Sequence, residues 1–86
     1  MIRTGVYILL CSNGKYYVGS SEDIDRRIEE HQRGKTKSLK YVLPVELKAF
    51  IECKTGLEAR QLEYKIKKMK SRKYVEELVE KFGIEG

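Results

Sequence analysis

Residues 5–10 (Gly-Val-Tyr-Ile-Leu-Leu) are a continuous apolar run, which predicts a strand covered on both faces. Residues 15–19 (Lys-Tyr-Tyr-Val-Gly) predict its hairpin partner across Cys-Ser-Asn-Gly. The period then changes. Ile24, Arg27, Ile28 and His31 fall on one face at helical spacing, and Gly34 stands where that helix should end. Ser20 and Ser21, followed by Glu22, Asp23 and Asp25, predict its start, with hydroxyls to cap exposed N–H groups and acids suited to the positive end of the dipole.

A basic loop over residues 33–44 closes at Pro44, and residues 45–52 alternate as a third strand. Thr55-Gly-Leu-Glu58 is a capping box that opens a second helix. Its predicted buried stripe is Ala59, Leu62, Ile66 and Met69, with Glu63 beside the stripe. Ser71 caps a last helix whose Val75, Leu78, Val79 and Phe82 keep the apolar spacing, and Gly83 stops it. The order β-β-α-β-α-α predicts an α+β fold, a small three-stranded antiparallel sheet flanked by helices, in a single domain over residues 1–86.

The hairpin register decides whether two tyrosines share a face. A two-residue Asn13-Gly14 loop sets Leu10 opposite Tyr17, which sends Tyr7 and Tyr17 to opposite faces. A three-residue loop, with Gly14 left-handed as a bulge, sets Leu9 opposite Tyr17 and Tyr7 opposite Gly19. The tyrosines then become diagonal neighbours, roughly 7–8 Å apart at the backbone. Asn-Gly alone favours the shorter turn. A joint tyrosine site requires the longer one, and the bulge is the expectation taken.

Charge sharpens this picture. Eighteen Lys+Arg against thirteen Asp+Glu give +5, which favours a polyanionic partner. Placement says more than the total. Lys65, Lys67, Lys68, Lys70, Arg72 and Lys73 lie in one stretch without an acid, and Arg33, Lys35, Lys37, Lys40 and Lys48 meet only Glu46. Two such clusters flanking one candidate site favour phosphate over a merely solvated helix face. Cys11 and Cys53 are isolated, so with one His they make no zinc site, and reduced buried thiols are expected. No apolar run has membrane-spanning length and no signal peptide is evident, which sets a cytoplasmic protein without membrane contact as the expectation.

Tyr7, Tyr17, Arg27, His31 and Glu63 are the candidate chemistry. A phenol has a pKa near 10, so tyrosine serves as a base only where cations stabilise its anion. Arg27 can do that, or grip a nonbridging phosphate oxygen in the transition state. His31, one helical turn on, reaches a phosphate, a water or a tyrosine hydroxyl. Glu63 is one carboxylate, enough for a single Mg²⁺ that keeps several waters. Gly19 offers room for a close-approaching phosphate, and Arg33, Lys35, Lys37, Lys40, Lys67 and Lys70 are the candidate DNA-binding cations. Each has a plainer role: strand aromatics, an Arg27–Asp23 pair, a histidine at a helix C-terminus, a Glu63–Lys67 pair. It is their convergence on one predicted surface that favours function.

The pairs Gly5-Val6-Tyr7 and Tyr17-Val18-Gly19, the spacing through Arg27, the Arg26-to-His31 helix, Lys40-Tyr41, Pro44-to-Leu47 and Glu58-to-Lys67 resemble the GIY-YIG nuclease family, above all its small stand-alone members. The resemblance covers nearly the whole chain and agrees with the fold above. It implies Mg²⁺- or Mn²⁺-dependent hydrolysis of DNA phosphodiesters, one ion held by Glu63. It further implies Tyr7 as general base, Tyr17 positioning water or phosphate, Arg27 stabilising the transition state, and a less uniform role for His31. Departures are Val6 and Val18 for isoleucine, Ser20 where some relatives carry lysine, and Ser71-Arg72-Lys73 where others carry asparagine. A DNA endonuclease in repair or branched-DNA processing is thus expected. The alternatives are a noncatalytic nucleic-acid-binding module and a catalytic subunit that needs a protein partner or a second copy. Glu63 separates them, since a pure binding surface gains nothing from a carboxylate beside phosphate.

Overall fold

The computed structural model describes residues 3–35 and 43–83. The elements are β1 (Gly5–Leu10), β2 (Tyr16–Ser21), α1 (Ile24–Gln32), β3 (Glu46–Glu52), α2 (Gly56–Met69) and α3 (Arg72–Phe82). They form one antiparallel sheet in the order β2-β1-β3, so the continuously apolar strand is the central one. Alternation along β1 splits the core in two. Val6 and Ile8 point with Val18, Ala49, Ala59 and Ile66 to the side covered by α2 and α3. Tyr7 and Leu9 point with Cys11, Ile24 and Val45 to the side covered by α1. Ile8, Leu9, Ile24 and Ile66 are at most 2% exposed, and burial of such a side chain contributes about 1.5–3 kcal/mol. Among the described residues no helix is long and apolar enough to cross a membrane.

The hairpin takes the longer loop. Gly14 donates to the Cys11 carbonyl at 2.9 Å and has φ of 83°, while Cys11 donates to the Lys15 carbonyl at 2.9 Å. Tyr7 therefore lies opposite Gly19 and Leu9 opposite Tyr17. The helix signals also hold in large part. Thr55 accepts from the Glu58 amide and Ser71 from the Tyr74 amide. Gly34, at φ 75°, ends α1 with its N–H on the His31 carbonyl, and the Lys35 N–H reaches back to that of Glu30.

Two expectations give way. Ser20 and Ser21 do not cap α1; they extend β2, and Asp23 caps the helix by accepting from the Arg26 amide. Met69 is 53% exposed, because α2 ends at its next residue and the sheet below it has run out.

Candidate active site

Register and alternation bring three rings together beneath α1. The Tyr7 and Tyr17 ring centroids are 6.4 Å apart, and His31 lies 5.6 Å from Tyr7 and 5.5 Å from Tyr17. The Tyr7 hydroxyl is 2.7 Å from His31 Nε2, and both residues are essentially inaccessible. The cross-strand partner makes this possible. A Cβ on Gly19 would overlap the Tyr7 hydroxyl and ring, so its missing side chain makes way for the phenol and not, as the sequence reading had it, for a phosphate. Gly19→Ala is expected to destabilise the fold by about 1–3 kcal/mol, the cost of overpacking, which thermal denaturation reads directly. An unchanged melting temperature would remove Gly19 from the site's architecture.

Burial pushes the Tyr7 phenol up to about 12, and Tyr17 and Glu63 add to that while Arg27 opposes it. Arg27 sits within electrostatic reach of the hydroxyl, is itself held charged by it, and pairs with Glu30 at 3.4 Å rather than with Asp23. The His31 imidazole is held below its ordinary 6.5, first by burial and then by Arg27, with Glu30 opposing. At neutral pH His31 is therefore uncharged, and with its proton on Nδ1 it accepts the Tyr7 O–H at Nε2. In the unfolded chain the same imidazole takes up a proton near pH 6.5, so the unfolded state binds more protons below that point. Stability is full above ~6.5 and falls as the solution is acidified toward the lower folded value. Denaturant titrations from pH ~7 to ~5 should show this slope, and His31→Gln should flatten it. The Asp25 carboxyl, held low by Arg3, belongs to a more acidic window.

Across the edge of β2 stands a second group. Glu63 on α2 accepts from Ser20 Oγ at 2.5 Å through Oε1 and from Lys67 Nζ at 2.6 Å through Oε2. The Lys67 ammonium also lies 5.7 Å above the Tyr17 ring, which ties this group to the ring cluster. Ser20 was noted in the sequence only as a departure. The signal for its place was there, since Val18 and Ser20 alternate onto the α2 side of β2. Among the described residues no group of three or more His, Cys, Asp or Glu could hold a metal ion. Glu63 already holds a cation at Oε2. Its donor set fits a Mg²⁺ or Mn²⁺ ion bound through one carboxylate, the rest being water and phosphate oxygens.

A cleft of about 870 Å³ opens beside the rings and takes in Ser20, Arg27, Glu30 and Lys54. Tyr7, Tyr17 and Glu63 are not on its wall, and Glu22, Asp23 and Glu30 balance its Arg26, Arg27 and Lys54. Of the candidate DNA-binding cations, Lys67 meets the site, while Lys70 caps α2 one turn away. Arg33 pairs with Glu29 at 2.8 Å beyond the C-terminal end of α1, with Lys35 following it. Lys37 and Lys40 lie outside the described residues.

A buried tyrosine–histidine pair, a stacked second tyrosine, an adjacent arginine and a lone helical glutamate on this sheet make up a nuclease-type fold. The chain matches the GIY-YIG catalytic domain over residues 3–75 and belongs to that family, whose members are endonucleases that act on DNA and generally use divalent metal ions. Among its relatives is a UPF0213 protein of Bacillus licheniformis, 40% identical over 93% of this chain and 82% of that one. UPF0213 proteins of Staphylococcus aureus are 41% identical over 72% of this chain and 77% of theirs. The solution NMR structure of a UPF0213 protein from Bacillus halodurans superimposes with a TM-score of 0.58 at 38% identity, covering 92% of this chain and 84% of that one.

Proposed function

We propose that residues 1–86 are one cytoplasmic catalytic domain that hydrolyses DNA phosphodiesters with Mg²⁺ or Mn²⁺, in repair or processing of branched DNA. The observation that carries this reading is the Tyr7 hydroxyl bound to a neutral histidine with a guanidinium beside it. No packing need places a phenol, an imidazole and an arginine together in a core that alkyl side chains would fill.

The roles follow from the groups' chemistry. With a pKa of about 12, an ionised Tyr7 at pH 7 costs about 7 kcal/mol, so a standing phenolate is a negligible species. His31 removes that obstacle. As a water attacks phosphorus, it gives a proton to the Tyr7 oxygen, and the Tyr7 proton passes to Nε2. A P–O bond forms, the leaving oxygen departs and takes a proton from solvent, and His31 later returns its proton. Arg27 stabilises the charge on the phosphorane oxygens and on Tyr7. Tyr17 orients the water or phosphate. Glu63, fixed by Ser20, holds the metal, which when bound neutralises phosphate charge. Access to Tyr7 requires a side chain to move. Arg27 is the one placed to do so, being 45% exposed and bound to Glu30 only by a long surface pair.

The test is cleavage of nicked, flapped, branched and linear DNA with either ion and with a chelator. Cutting that depends on metal is the expected result. DNA that is bound but never cut, on any of these substrates, would overturn the assignment.

A further inference from the structure

On the face of β2 opposite the rings, a groove of about 300 Å³ runs between the hairpin and the junction of α2 with α3. Its floor is apolar, made by Val18, Ile66 and Val75, and no acidic side chain lines it. Four cations surround it: Lys15, Lys67, Lys70 and Arg72. Arg72 is held flat over Tyr16, its guanidinium carbon 5.0 Å from the ring centre, by a hydrogen bond to the Gly14 carbonyl at 2.9 Å. We propose that this groove takes one unstacked base of a single-stranded DNA segment, with the flanking phosphates on Lys15, Lys67 and Lys70.

This deepens the nuclease reading and rests on it. A planar guanidinium over a tyrosine, beside an apolar floor, is a stacking platform, and cations tracking alongside it are how proteins hold single strands without reading sequence. The volume is at the small end of ligand sites, which suits one base with its sugar. A base in a duplex has both faces covered by its neighbours and cannot enter. Lys67 lines the groove and also reaches Glu63 and Tyr17, so a strand lying here runs around the edge of β2 to the site.

Two breaches of local preference fall at this groove. Lys70 has φ of 49°, a left-handed position that glycine fills at lower cost. The first turn of α3 holds Arg72 and Lys73 and no acid, which sets positive charge against the positive end of the dipole. Glu76 offsets this only through a 4.0 Å contact to Arg72. Such breaches gather where side chains serve a ligand.

The probe is a short single strand carrying 2-aminopurine, titrated in a metal chelator so that nothing is cut, beside the blunt duplex of the same sequence. The wild type should change the fluorophore's emission and prefer the single strand. Lys70→Gly combined with Arg72→Ala should weaken single-strand binding by about ten- to a hundredfold through lost stacking and charge. The slope of log affinity against log salt should fall by about 1.4 for the two cations removed. Lys70→Gly relieves the left-handed backbone and Arg72 is exposed, so the melting temperature should not drop. Equal affinity for strand and duplex, or a double variant that binds the strand as the wild type does, overturns the proposal. A wild type that cuts DNA with metal yet leaves the fluorophore unchanged overturns this inference alone. An altered emission without cutting supports it and overturns the nuclease reading alone.

Discussion

Glu63→Ala should abolish cleavage, by about 10³-fold or more, while DNA binding stays constant or tightens. The carboxylate is the one donor placed to hold a metal beside the ring cluster, and a Lewis-acid ion contributes several kcal/mol at phosphorus. Its removal frees the Lys67 ammonium, now 2.6 Å from Oε2, to meet phosphate, and takes away a negative charge that repels it. Folding should hardly notice. The Glu63–Lys67 pair is an i,i+4 contact on a helix, worth about 0.3–0.5 kcal/mol where exposed, and alanine is a good helix former. Cleavage, fluorescence anisotropy in chelator and thermal denaturation on one preparation separate the outcomes. Persisting cleavage removes Glu63 as the metal ligand. Joint loss of cleavage, binding and melting temperature would make it structural.

Much of this site was legible in the sequence, for reasons that differ from residue to residue. The continuous apolar run of β1 required cover on both faces, and the demand that Tyr7 and Tyr17 share a face selected the Gly14 bulge against the local preference of Asn-Gly. Caps at Thr55 and Ser71 and the stop at Gly34 are signals that a few neighbouring residues decide. What stayed hidden depends on packing. Ser20 reads locally as a helix cap, and only the seating of α2 across β2 turns its hydroxyl to Glu63. Gly19 reads as space for a ligand until the register fills that space with Tyr7. Met69 continues its helix's apolar stripe past the point where the sheet lies below it, so periodicity overstates the core.

Tyr7→Phe should slow cleavage by about 10²–10⁴-fold, the usual share of general acid–base catalysis. The fold survives it, since the ring keeps its place between Tyr17 and His31, but not without cost. His31 Nε2 loses the phenol it binds at 2.7 Å in a site closed to solvent, and an orphaned buried polar atom costs about 1–3 kcal/mol. Binding of DNA in chelator should be unchanged. The pH profile then tells which group accepts the proton. Were Tyr7 the base unaided, wild-type cleavage would go on rising toward its pKa of about 12. With His31 as acceptor, the rise ends once the imidazole is neutral, below its ordinary 6.5, and the rate is flat through neutral pH. A flat profile with a slow Tyr7→Phe enzyme fits a relay in which the phenol carries a proton it never fully gives up. A profile that climbs steadily past pH ~9 would remove His31 from the chemistry and leave it a structural partner of the phenol. Full activity in Tyr7→Phe would place the base elsewhere, and the tyrosine–histidine pair would then need a reason in folding alone.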